Sequence, residues 1–244
     1  MFDFFFKKYI GDLGRVKVDM HNHILPGLDD GSSCIEESRE MSKQLANWGI
    51  EQAIYTPHVY ADLYPNSPSS IQSAFEGLLQ DKEHSQAFKA HSYAAEYMLD
   101  DSFRELLKKE EPLLCLKDNL ILVEFPLNFE NIDTDTILFD LFIAGYQPVI
   151  AHPERYRYLH HQTASYQRLK DMGCLLQLNF LSLGGFYGPE IKTQAEKLLS
   201  KGLIDLVSTD IHKAKQMAAV EQVLCSKAWK KFEKYDFTNA IFIA

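Results

Sequence analysis

Asp19-Met20-His21-Asn22-His23 near the start of the chain and Asp210-Ile211-His212 near its end set imidazoles and carboxylates two residues apart. Alternate residues of a strand point to the same side, so each motif can present two donors to one cation. Between the two motifs, short apolar runs close on His58, Glu96, Glu124 and His152. Imidazole and carboxylate donors without thiolate suit Zn²⁺, Mn²⁺ or iron, and the donor set by itself does not choose among them. Taken alone, a His-x-His step is weak evidence, and Glu96 or Glu124 reads as an ordinary surface charge. Together these residues mark nearly every strand end, which independent surface groups have no reason to do.

Strands are expected at 16–23, 50–56, 92–95, 120–125, 148–151, 174–178 and 204–208. A helix capped by Ser32 and Ser33 runs through Met41, Leu45 and Trp48 and stops at Gly49. Further helices are expected near 102–109, 134–144, 164–172 and 190–200, and after His212. Strands alternating with helices build βα units around a parallel sheet, and their number favours a closed barrel over an open sheet. In such a barrel the C-terminal ends of the strands share one face, where active sites sit. The scattered donors would converge there. His84, His91, His160 and His161 lie in polar stretches and are read as surface residues.

A length of 244 residues suits one α/β barrel, and 46% apolar with 24% charged residues is globular composition. We expect a single domain over 1–244, with 1–15 an aromatic-rich N-terminal extension that packs on it. The net charge of −9 disfavours nucleic acid as a partner. Cys34, Cys115, Cys174 and Cys225 form no Cys-x-x-Cys pair, so reduced thiols in the cytoplasm are expected. The residues six beyond them are Glu40, Ile121, Phe180 and Lys231, none of them arginine, which excludes a Cys-x5-Arg phosphatase loop. No apolar run reaches the ~18 residues of a membrane span.

The stretches 19–31 (DMHNHILPGLDDG), Thr56-Pro57-His58, Ala95-Glu96-Tyr97, Val123-Glu124-Phe125, 151–156 (AHPERY) and 208–212 (STDIH) resemble the polymerase and histidinol phosphatase (PHP) superfamily. Within it they are similar to the bacterial manganese-dependent tyrosine-protein phosphatases of capsule and exopolysaccharide loci, the CpsB/YwqE type. The resemblance implies a distorted TIM-like (β/α) barrel of PHP type with a three-ion cluster of divalent metals, manganese first, with iron, zinc or magnesium open. By motif, His21, His23, Glu96 and Asp210 would hold one ion, and Glu96 would bridge to a second completed by His58 and Glu124. Asp30, His152 and His212 would hold the third, with Asp29 the alternative to Asp30. Arg155 is similar to the family's phosphate-binding arginine, its planar fork matching phosphate oxygens. The family carries a further arginine beyond the Asp-x-His motif. Here Lys213 and Lys215 are the candidates to replace it in substrate binding.

The chemistry expected is phosphomonoester hydrolysis by metal-activated hydroxide, with Arg155 gripping the phosphoryl oxygens and His212 available as a proton donor. The expected partner is a phosphotyrosine protein, a bacterial tyrosine kinase of polysaccharide assembly. The alternatives are a small-metabolite phosphatase, such as one for histidinol phosphate, and a non-catalytic kinase-binding module. The oligomeric state is left open.

Overall fold

The computed structural model describes residues 11–233 and 235–243. Most of the aromatic N-terminal extension therefore lies outside the described residues. Of its last part, Leu13 is buried in the core and its N–H bonds the Trp48 carbonyl at 2.6 Å.

Nine strands appear among the described residues: β1 (Val18–Asp19), β2 (Gln52–Tyr55), β3 (His58–Val59), β4 (Ala90–Tyr93), β5 (Glu96–Met98), β6 (Leu120–Glu124), β7 (Gln147–Ala151), β8 (Leu175–Asn179) and β9 (Leu206–Ser208). Every pairing between these strands is parallel, in two ladders of order β1-β2-β4 and β3-β5-β6-β7-β8-β9. The expected strand at 92–95 is thus two short strands in different ladders. Pro57, which has no N–H to give a ladder, separates β2 from β3. Across these breaks Ala94 N donates to Tyr55 O at 2.8 Å and Glu96 N to Pro57 O at 3.1 Å. On the other side, Asp210 N donates to His21 O and His23 N to Ile211 O, both at 2.9 Å, joining the ends of β1 and β9. The ladders therefore follow one another round a ring as an α/β fold of distorted barrel type.

Side chains complete the β1–β9 seam. Buried Asn239 donates to Val18 O (3.0 Å) and Val207 O (2.8 Å) and accepts from Val207 N (3.1 Å). Buried Asp19 accepts from Ser208 Oγ, Thr209 N and Thr209 Oγ1.

The helices among the described residues are α1 (Ile35–Asn47), α2 (Pro68–Leu79), α3 (Lys82–Ser85), α4 (Asp101–Leu107), α5 (Thr134–Ile143), α6 (Thr163–Asp171) and α7 (Pro189–Ser200) between strands, then α8 (Met217–Leu224) and α9 (Lys227–Phe232) after β9. In α1, Ser38, Met41, Ser42 and Leu45 form the buried stripe at helical spacing. Its N-cap is Cys34, without a side-chain cap. The two serines expected there turn elsewhere: Ser33 bonds Glu37, and Ser32 Oγ donates to Cys34 O. α2 escaped the sequence reading although Ser67 caps it in a capping box and Pro68 opens it, both recognisable start signals.

The barrel interior is a separate apolar plug that includes Val18, Met20, Ile54, Ala94, Leu122, Val149, Ala151 and Leu206. Two residues further along the chain come Glu96 after Ala94, Glu124 after Leu122, and Ser208 then Asp210 after Leu206. Apolar floor and polar mouth are thus consecutive layers of one alternating pattern.

Candidate metal centre

At the mouth, Glu96 is fully buried, with Oε2 3.2 Å from His21 Nε2, 3.3 Å from His23 Nε2 and 3.0 Å from His58 Nδ1. Its Oε1 lies 3.1 Å from His152 Nε2. Asp210 sets Oδ1 3.3 Å from His21 Nε2, 3.4 Å from His23 Nε2 and 3.5 Å from His212 Nδ1. Glu124 Oε1 is 3.0 Å from His58 Nδ1. Asp30 Oδ1 is 3.6 Å from His58 Nε2 and 3.5 Å from His212 Nε2. All nine residues named from the sequence as metal ligands converge. The grouping differs in one respect: Asp30 and His212 gather with His23 and His58, whereas His152 gathers with His21 and Asp210.

Strict alternation from inward-facing Ala151 would send His152 outward. Its left-handed backbone, φ 36°, re-aims the ring into the mouth, and Asp210 also has positive φ, 49°. Such conformations are uncommon for residues other than glycine and cluster at functional sites.

Buried partners orient the rings. His21 Nδ1 donates to Gln177 Oε1 at 2.8 Å, and Gln177 is itself anchored by its amide on Leu178 O. His23 Nδ1 donates to Asp29 Oδ2 at 2.7 Å, and the same oxygen accepts from His58 N at 2.9 Å. Asp29 is therefore the orienting carboxylate, while Asp30 faces the cleft. The two Nε2 atoms of His21 and His23 lie 3.3 Å from each other, against two buried carboxylates. That cavity wall is short of positive charge, and divalent cations fit it.

The electrostatics agree. Burial alone would lower the His23 pKa, but Asp29, Asp210 and Glu96 overcome it and raise it well above its ordinary value. Burial likewise opposes, and Glu96 drives, a rise of His58 to about 10. Glu96 is held well below the carboxylate range despite burial, by His21 and His58. Asp210 is likewise held low despite burial, by His21 and His212. Burial and then His23 push His212 down to about 4.

Arg155 leaves the turn Pro153–Arg155 with 19% of its side chain exposed, and Nη1 donates to Asp210 Oδ2 at 3.1 Å. Its partner is Asp210, not the neighbouring Glu154, whose Oε1 accepts from Asn179 N and Ser182 Oγ. His152, Arg155, Asp210, His212 and Asp30 line a cleft of about 730 Å³, rimmed by Tyr60, Leu63, Tyr64, Phe129 and Ile132. Lys213 and Lys215 are not among its lining residues: Lys213 Nζ donates to Gly31 O, and Lys215 is exposed.

The surface reading of the other histidines needs correction. His84 is buried, bonding Tyr55 Oη at 2.9 Å, and that hydroxyl reaches His91 Nδ1 at 2.7 Å. His160 is also buried, on the Glu154 carbonyl, while His161 is exposed. The sequence reading missed Gln177 and Asn179, although two polar residues at alternate positions of the run Leu175–Asn179 were a signal.

No helix among the described residues is long and apolar enough to cross a membrane. The chain is 31% identical over 201 residues to the tyrosine-protein phosphatase YwqE of Bacillus subtilis, covering 81% of this chain and 78% of that one. It is 29% identical over 201 residues to the tyrosine-protein phosphatase CpsB of Streptococcus pneumoniae, covering 80% and 82%. Among solved structures it matches a chain from the work on YwqE of B. subtilis and CpsB of S. pneumoniae, described as unique metal-dependent tyrosine phosphatases. The TM-score there is 0.78 at 28% identity, covering 92% of this chain and 90% of that one. A lactonase of Listeria monocytogenes, TM-score 0.53 at 10% identity over 95% and 92% of the chains, shares the fold alone. The family model for capsular polysaccharide synthesis, CpsB/CapC, matches residues 17–244, and the chain belongs to that family.

Proposed function

We propose that this protein is a metal-dependent phosphomonoesterase that removes phosphate from phosphotyrosine in a protein. The observation that carries the reading is the pair of His21 and His23 Nε2 atoms, 3.3 Å apart beside buried Glu96 and Asp210, an arrangement that calls for cations. A three-ion manganese cluster held by His21, His23, Asp30, His58, Glu96, Glu124, His152, Asp210 and His212 meets that need. Divalent ions, when bound, supply an acidified water as nucleophile and neutralise charge on the phosphoryl group.

The chain's own residues do the rest. Arg155 donates to the phosphoryl oxygens and fixes the ester for in-line displacement. Tyr60, Leu63, Tyr64, Phe129 and Ile132 offer an apolar rim to an aryl group carried on a polypeptide. A phenol leaves with a pKa of ~10, so strong general-acid help is not needed. We therefore assign His212, whose Nε2 lies 3.5 Å from Asp30 Oδ1 in a group with His23 and His58, to metal binding ahead of proton donation. Lys213 braces the loop that carries Asp30, which leaves Arg155 as the side chain gripping phosphate. A cytoplasmic tyrosine kinase of polysaccharide assembly is the substrate that the family's capsule connection suggests.

Chelation should abolish hydrolysis of p-nitrophenyl phosphate, with Mn²⁺ restoring it. Hydrolysis indifferent to chelator overturns the reading. A higher kcat/KM on histidinol phosphate than on a phosphotyrosine peptide would move the assignment to a small-metabolite phosphatase.

A further inference from the structure

A closed circuit of polar contacts surrounds Arg155. Its guanidinium makes one hydrogen bond, Nη1 to Asp210 Oδ2 at 3.1 Å, and its Cζ sits 4.5 Å from the centre of the Tyr187 ring. One hydrogen bond fixes a point and leaves the plane free to turn about it. The ring face supplies the second constraint, leaving the remaining N–H groups to a ligand. The Tyr187 hydroxyl accepts from Asn179 Nδ2 at 3.0 Å, and Asn179 Nδ2 also donates to Asp210 Oδ2 at 2.6 Å. Leu181 N donates to Asn179 Oδ1 at 2.8 Å, so the amide cannot be turned over without losing that bond.

The backbone pins the ring as well. Tyr187 lies between Gly185 (φ 80°) and Gly188 (φ 103°), both in a region closed to most side chains, and Gly188 N donates back to Gly185 O at 2.9 Å. Pro189 then starts α7. Phe186 meets the Tyr187 ring edge-on at 5.1 Å.

We infer that Tyr187, held by Asn179 and by the Gly185–Gly188 turn, is a positioning residue that orients Arg155 for phosphate. This rests on the assignment of Arg155 as the phosphate-gripping group. Asn179 ties the brace to Asp210, so the phosphate fork and the metal mouth keep a fixed relation.

The test is calorimetric binding of inorganic phosphate to the Mn²⁺-loaded protein, alongside kcat and KM for p-nitrophenyl phosphate. Tyr187→Leu should raise the phosphate Kd and the KM together, roughly 5- to 20-fold given the usual strength of a desolvated cation–π contact. Bound metal and Tm should stay at the parent values. Tyr187→Phe keeps the ring and should bind phosphate within about threefold of the parent. In an Arg155→Ala background Tyr187→Leu should cost nothing further, because there is no guanidinium left to orient. If Arg155→Ala weakens phosphate binding and Tyr187→Leu does not, or if the two effects simply add, the positioning role falls and the function stands. If Arg155→Ala leaves phosphate binding intact, the phosphate assignment itself falls and takes this inference with it. Tyr187→Met, which keeps bulk without a ring, gives the same readings if the leucine variant melts early.

Discussion

Asp29 accepts a 2.7 Å hydrogen bond from His23 Nδ1 and so commits the other nitrogen of that ring to face Glu96 and Asp210. A carboxylate behind an imidazole fixes its tautomer and raises its basicity as a ligand. Asp29→Ala should weaken Mn²⁺ binding about 10- to 100-fold, read by titrating the stripped protein with metal. Parent-like affinity would show that the ring needs no orienting partner.

Gly31 follows this pair because nothing larger fits. A Cβ there would lie 2.2 Å from His23 O and 2.5 Å from His23 Cβ, and the backbone oxygen cannot swing aside as a flexible side chain would. Gly31→Ala should displace the loop carrying Asp29 and Asp30 and cut kcat/KM at least tenfold, a change of about 1.4 kcal/mol. Activity equal to the parent would show that the loop gives way freely.

Asn239 bonds three backbone groups across the β1–β9 seam. Asn239→Ala strips partners from groups in a buried setting and should lower unfolding stability by roughly 2–4 kcal/mol, measured by urea denaturation. A loss within 0.5 kcal/mol, the usual surface range, would mean the seam is held elsewhere.

His84 gives stability a pH dependence. Burial and then His91 push its pKa down to about 4 from 6.5. The unfolded chain therefore takes up the proton first. The contribution is fully present above pH 6.5 and is lost as pH falls towards 4, on the order of 3 kcal/mol across that window. His84→Gln should flatten the fall in Tm between pH 6.5 and 4 relative to the parent. Parallel curves for the two proteins would remove His84 as the cause.

The parallel α/β class, and the convergence of most candidate donors on one face, were legible in the amino-acid pattern. These depend on local facts: apolar runs that close on His58, Glu96, Glu124 and His152, and motif spacing around His21 and Asp210. Alternation also carries Glu96, Glu124 and Asp210 inward above the apolar plug without any long-range information. The folded chain sets which of two adjacent carboxylates faces the cleft, since the side chains of Asp29 and Asp30 differ in direction, not in chemistry. It likewise decided that His152 turns inward, through a left-handed φ that no residue pattern announces. It set Lys213 on Gly31 O and Arg155 between Asp210 and Tyr187. His84, read as a surface residue from its polar neighbours, became a core group because Tyr55 on a distant strand offers a hydroxyl. Burial and partner choice come from segments brought together by the barrel, and that convergence is absent from any single stretch of chain.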